Sequence, residues 1–156
     1  MNRKGFTLIE LLAIIILMGL IAVLVMPSIV DSLNKSKETS YKVLINNIKV
    51  AAETYYEECE YGDLSDQGKY GAYACTINNN TINTTIGALA GTGLLKVSND
   101  KEDNLTILDP RDNNNTLNDC QIQIIKNVAS NFKVTYQING DDQQYGCPTD
   151  GDFGSE

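Results

Sequence analysis

Glu10 is the one ionisable side chain between Phe6 and Val30. From Leu11 to Met26 no side chain is polar. An ionised carboxylate in such surroundings costs about 2.5–3.5 kcal/mol at the middle of a bilayer and less near its edge. A carboxylate kept there calls for a partner that neutralises it. The other groups able to do chemistry are four cysteines and two acidic stretches. Cys59, Cys75, Cys120 and Cys147 form no C-x-x-C pair, and the chain has no histidine. A zinc site would therefore need all four thiolates at spacings unlike the usual ones, and an even count reads better as two disulfides. Asp109-Pro110-Arg111-Asp112 and Asp141-Asp142, with Asp150 and Asp152 nearby, are oxygen-rich. Asp109, Asp112, Asp141 and Asp142 are the donors a calcium ion would use, but neither stretch has the ligand order of a calcium loop. Solvated turns are the simpler account, and no metal or cofactor is expected. Without histidine a serine or cysteine nucleophile lacks its usual base, so no enzyme is expected.

The elements that would position these groups divide the chain in two. Phe6 to Val30 exceeds the ~20 residues that cross a bilayer. Arg3 and Lys4 precede it and would stay on the cytoplasmic side, sending the rest outward. An ordinary secretory signal is a poor fit, because the apolar run is too long and no small-x-small site follows it. A plain membrane anchor fits but gives Glu10 no task. Beyond Asp31 the sequence is rich in Asn, Thr, Asp and Gly. Net charge is −8, and removing a basic leader would make it more negative. Such a head repels phosphates at long range, so direct nucleic-acid binding is not expected.

Lys4-Gly5-Phe6-Thr7-Leu8-Ile9-Glu10 resembles the leader-cleavage and methylation motif of type IV pilins and the related pseudopilins. The resemblance implies cleavage by a prepilin peptidase between Gly5 and Phe6, followed by methylation of the Phe6 amine. Glu10 then holds the place of the family's glutamate, implying a salt bridge between it and the Phe6 amine of a neighbouring subunit. Gly19 and Pro27 fall where pilin helices carry a glycine and a proline, and imply a helix break that loosens on assembly. Both residues weaken a helix on physical grounds as well. The further partners implied are other copies of the chain, other pilins, a pilus assembly platform, and the cytoplasmic membrane before export to a cell-surface filament.

After a polar collar from Asn34 to Ser40, Tyr41, Leu44, Ile48, Ala51, Ala52, Tyr55 and Cys59 recur at helical spacing. The expected fold class is α+β: a long N-terminal helix, half membranous and half amphipathic, packed on a small antiparallel sheet. Residues 1–5 form the leader, 6–30 the membrane and assembly helix, and 31–156 the head. Within the head the helix runs to about residue 58, a loop covers 59–92, the sheet 93–147 and an acidic tail 148–156. Strands are predicted at Gly93–Ser98, Asn104–Asp109, Asp119–Asn127 and Asn131–Asn139, the last two as a hairpin. Bridges Cys59–Cys75 and Cys120–Cys147 are one of three possible pairings. Four Asn-x-Thr sequons, at Asn79, Asn83, Asn104 and Asn114, arise freely in Asn-rich loops. The functional expectation is a structural subunit of a surface filament used for adhesion, aggregation or motility. The alternatives are a pseudopilin of a type II secretion or DNA-uptake machine, and a membrane-anchored binding module that never polymerises.

Overall fold

Helix α1 spans Leu8–Tyr61, in a computed structural model that describes residues 5–61, 75–95, 98–99, 105–130, 133–140 and 146–154. The chain divides into two compact units, Met1–Glu38 and Thr39–Glu156. The division falls after most of the polar collar rather than at Val30. In the first unit every described side chain is exposed. Leu17, Ile21 and Leu24 show 60%, 57% and 71% of their surface. The segment is helical through Gly19 and Pro27. Thus neither residue breaks the helix in the isolated chain, although Pro27 leaves the Val23 carbonyl without its usual donor.

The second unit has an ordinary core. The helical stripe is buried as the spacing predicts, at Tyr41, Ile48, Ala51, Ala52, Tyr55 and Cys59, joined by Ile45 and Tyr56. Leu44 is only partly buried, because one residue's rotation of 100° per position turns Ile45 further toward the sheet. The main sheet has three antiparallel strands in the order β1-β6-β7, with β1 at Thr81–Thr85, β6 at Gln121–Val128 and β7 at Val134–Asn139. One inward row aligns Ile82, Ile124 and Ile138, all nearly inaccessible. Burying each such side chain contributes about 1.5–3 kcal/mol.

Two expectations are corrected here. The segment 59–92 is not all loop: it holds β1 and helix α2, Ile86–Gly91. Asn79 and Asn80 adopt φ of 48° and 59°, making a two-residue turn closed by reciprocal Asn78–Thr81 backbone bonds of 2.9 Å. Asparagine tolerates this left-handed geometry better than most residues. Thr85 then caps α2, its hydroxyl accepting from the Ala88 N–H at 3.1 Å. The second correction concerns 93–109. Gly93–Leu95 is turn and bend rather than strand, because Gly93 takes φ +80° and its N–H bonds back to Ala90 O.

Ser98–Asn99 (β2) pairs with Leu105–Thr106 (β3), and Leu108–Asp109 (β4) pairs with Asp112–Thr116 (β5). Ile107 separates β3 from β4. Its backbone turns to Asn118 Oδ1 and Leu117 N, both at 2.8 Å, while its side chain enters the core. The predicted hairpin is present, with Gln123 opposite Asn139 and Val128 opposite Val134. Its connection includes Asn131 and Phe132, which lie outside the described residues, as do the greater part of the 59–75 connection and the Asp141-Asp142 pair.

Candidate functional site

The first turn of α1 holds Glu10 in a reciprocal cap. The Thr7 backbone N–H donates to Glu10 Oε2 at 2.9 Å, and the Thr7 hydroxyl donates to the same oxygen at 2.8 Å. In return Glu10 N–H donates to the Thr7 hydroxyl at 3.3 Å. This is a capping box, which satisfies two of the donors that a helix start leaves unpaired. The helix dipole also favours a negative charge there. Thr7-Leu8-Ile9-Glu10 carries the signature of a capping box ahead of an apolar run, and the sequence reading passed over it. Phe6 lies one residue before the cap and is 80% exposed. Its amine, once released from Gly5, would belong to the same turn as the carboxylate. Arg3 and Lys4 lie outside the described residues.

The head's cysteines are bridged as Cys59–Cys75 and Cys120–Cys147. The first joins the end of α1 to the chain just before the Asn79–Asn80 turn. The second joins the residue preceding β6 to the C-terminal tail. Close approach fixes that tail further: a Cβ on Gly140 would fall 2.0 Å from Pro148 O. Gly140 N–H donates to Asp150 at 2.8 Å, and Lys49 Nζ donates to Phe153 O at 3.4 Å. Phe153 is buried.

Asp109 and Asp152, two of the acidic groups considered for calcium, hold other partners. Asp109 is buried, and Arg111 meets both its oxygens, through Nη2 at 2.8 Å and Nε at 3.1 and 3.2 Å. The Arg111 N–H adds a bond at 2.8 Å. The same guanidinium lies 3.3 Å from the centre of the Tyr41 ring, a cation–π contact that ties the β4–β5 turn to α1. A cation at Asp109 would have to displace this guanidinium. Asp112 lies at the start of β5 and is exposed. Asp152 accepts from Thr149 N at 2.8 Å and from its hydroxyl at 3.1 Å.

A second polar cluster closes the far end of the helix. Lys126, buried on the inner face of β6, pairs with Glu60 and lies 5.8 and 5.6 Å from the Tyr56 and Tyr61 ring centres. That pairing holds the Lys126 pKa above its ordinary value. Tyr136 stacks at a tilt on Tyr56, centroids 5.4 Å apart, and its hydroxyl donates to Glu57 at 3.3 Å. Burial, reinforced by the Glu57 charge, pushes the Tyr136 phenol up to about 12. Burial and then the Asp152 charge also raise Tyr41. These groups fasten elements together; none is arranged around a reacting atom.

Residues 1–26 match the family described as the prokaryotic N-terminal methylation motif. The chain is also 31% identical over 96 residues to the fimbrial protein EcpC of Eikenella corrodens, covering 58% of this chain and 58% of that one. No solved structure matches. A methylation motif leading into an apolar helix, with an α+β unit after it, defines the prepilin class of proteins. The motif and the fimbrial relative support a pilin-type structural protein, similar to type IV pilins, on a match confined to the first sixth of the chain and a relative covered in part. The chain spans only 58% of its fimbrial relative, so that protein's assembly and partners are not carried over as findings.

Proposed function

We propose that this chain is the structural subunit of a type IV pilus filament on the cell surface. A prepilin peptidase cuts between Gly5 and Phe6 and the Phe6 amine is methylated. The mature helix waits in the cytoplasmic membrane until an assembly platform adds it to the filament. There the Phe6 amine of one subunit meets the Glu10 carboxylate of another. The observation carrying this reading is the capped Glu10 at the start of a helix whose apolar residues from Leu8 to Val30 are all exposed. Thr7 and the helix dipole hold the carboxylate during its stay in the membrane. Assembly exchanges that local cap for a full countercharge. Removing one member of a buried pair costs about 3–5 kcal/mol, so each subunit entering without Glu10 would carry an uncompensated amine.

The test compares Glu10→Leu, Glu10→Gln and Glu10→Asp at equal membrane levels. Glutamine keeps the capping geometry but not the charge; aspartate keeps charge with a shorter reach. All three should be cleaved, with N-methyl-phenylalanine found first by mass spectrometry. Sheared fibres should vanish for leucine and glutamine and be reduced for aspartate. Normal fibres from Glu10→Leu would sink the pairing, and an intact Met1 terminus in assembled material would sink the processing.

A further inference from the structure

The outward positions of the three main-sheet strands carry no charged side chain. The inward rows of β1, β6 and β7 meet the helix, so alternation sends the other rows outward. One outward row is Asn83, Gln123 and Asn139; the next is Thr81, Ile125 and Gln137. The remaining outward positions are also amides or hydroxyls, while the whole chain carries −8. Among the described residues, the charge flanking β7 on its outward side is Lys133, which precedes the strand. The amides form a chain of hydrogen bonds, one along β7 and two across the strands. Gln137 donates to Asn139 at 3.0 Å, Asn139 to Gln123 at 3.4 Å, and Gln123 to Asn83 at 3.1 Å. Asn83 and Gln137 are exposed, and Ile125 is half-buried at the centre.

Building on the filament reading above, we propose that this face is a lateral contact between copies of this chain in neighbouring filaments. Copies would meet face to face about a local two-fold axis. Charge argues for it: strongly acidic heads repel one another, and a surface without charge is where two can approach. Chemistry argues for it too. Each amide offers two N–H donors and two lone-pair sites and spends only part of them within the row. An amide row is complementary to itself, as a two-fold contact requires. An aliphatic centre inside a polar surround is the usual plan of a protein contact.

Size sets how the face can work. Strands about 4.8 Å apart, rising about 3.3 Å per residue, give a face on the order of 200–300 Å². A stable pair of proteins buries about 800 Å² on each side. Single subunits therefore stay apart, and the contact matters only where a filament repeats it many times.

The test uses assembled filaments of the full chain carrying Gln137→Lys or Gln137→Glu, an exposed position whose change should leave head melting unaltered. Unaltered filaments should lie in side-by-side bundles in micrographs. Each variant should give single filaments in normal number, with the bundled fraction down at least about tenfold. Mixing lysine and glutamate filaments at low salt should restore bundles, because opposite charges then face each other, and added salt should dissolve them. Variants that bundle normally would overturn the proposal, as would unaltered filaments that never bundle. Loss of bundling that mixing fails to restore would overturn it by assigning the face to a different partner, such as a neutral glycan. Absence of fibres from the unaltered chain would overturn the filament reading itself, an outcome distinct from fibres that merely lie apart.

Discussion

Leu17 and Ile48 sit in the same helix, one 60% exposed and the other wholly buried. Both positions follow from apolar residues at helical spacing. The head half, Tyr41 to Cys59, finds its partners in Ile82, Ile124 and Ile138 of the same chain. Leu8 to Val30 is exposed throughout, and under the proposed function it would take partners first from lipid and then from other subunits. One secondary structure thus serves two kinds of burial, intramolecular and intermolecular. An apolar surface of this extent would be a liability in a soluble monomer and, under the proposed function, would drive assembly.

If the halves are energetically separate, the largest effect should come from Glu10 and leave the head untouched. Glu10→Leu should abolish fibres, with about 3–5 kcal/mol lost per subunit, while thermal melting of the head stays at its unaltered value. A shift in head melting would break the comparison.

The reverse experiment removes the head's bridges. Replacing Cys120 and Cys147 by serine should destabilise the head by about 3.6 kcal/mol, and Cys59 with Cys75 by about 3.1 kcal/mol, on the chain-entropy estimate for separations of 27 and 16 residues. Leader cleavage and membrane insertion should remain normal. Denaturant melts read the first effect and mass spectrometry of membranes the second.

A smaller loss is expected from Arg111→Ala. It leaves the Asp109 carboxylate buried without its partner and removes the contact over Tyr41. The full cost of breaking a buried pair, about 3–5 kcal/mol, falls toward about 2 kcal/mol because the Arg111 side chain is 34% exposed. Arg111→Lys should recover only part, since a point charge cannot reproduce the two-pronged contact.

The smallest expected effect is alkaline. Tyr136 is an acid whose folded pKa is raised to about 12, above an unfolded value of about 10. The unfolded chain therefore loses its proton first. Stability from this phenol is complete below about pH 10 and is lost as pH rises through its folded value. Thermal melts of the head across that window should show the decline, and Tyr136→Phe should flatten it. An unchanged slope in the phenylalanine variant would assign the alkaline loss to Tyr41 and other groups.

What the sequence determined by itself was whatever depends on near neighbours. The apolar run, the misfit carboxylate at Glu10 and the leader motif are local patterns. So is the helical stripe through Tyr41, Ile48 and Tyr55, and the alternation that marks the β6–β7 hairpin. The Thr7–Glu10 cap was equally local and open to reading. The tertiary structure alone decided what depends on distant pairing. Thr81–Thr85 is β-branched at four of its five positions but has Ile82 as its one fully buried side chain. It becomes β1 because β6, some forty residues later, offers it a hydrogen-bonded edge with Ile82 facing Ile124. Lys126 could be buried only because Glu60 and two tyrosine rings converge on it from α1. Arg111, which holds Asp109 as a near neighbour, lies over the Tyr41 ring only because the β4–β5 turn packs on α1. Local patterns fix the energies of single segments. Long-range contacts repay the entropy of bringing remote segments together, and they form only when both surfaces are in place.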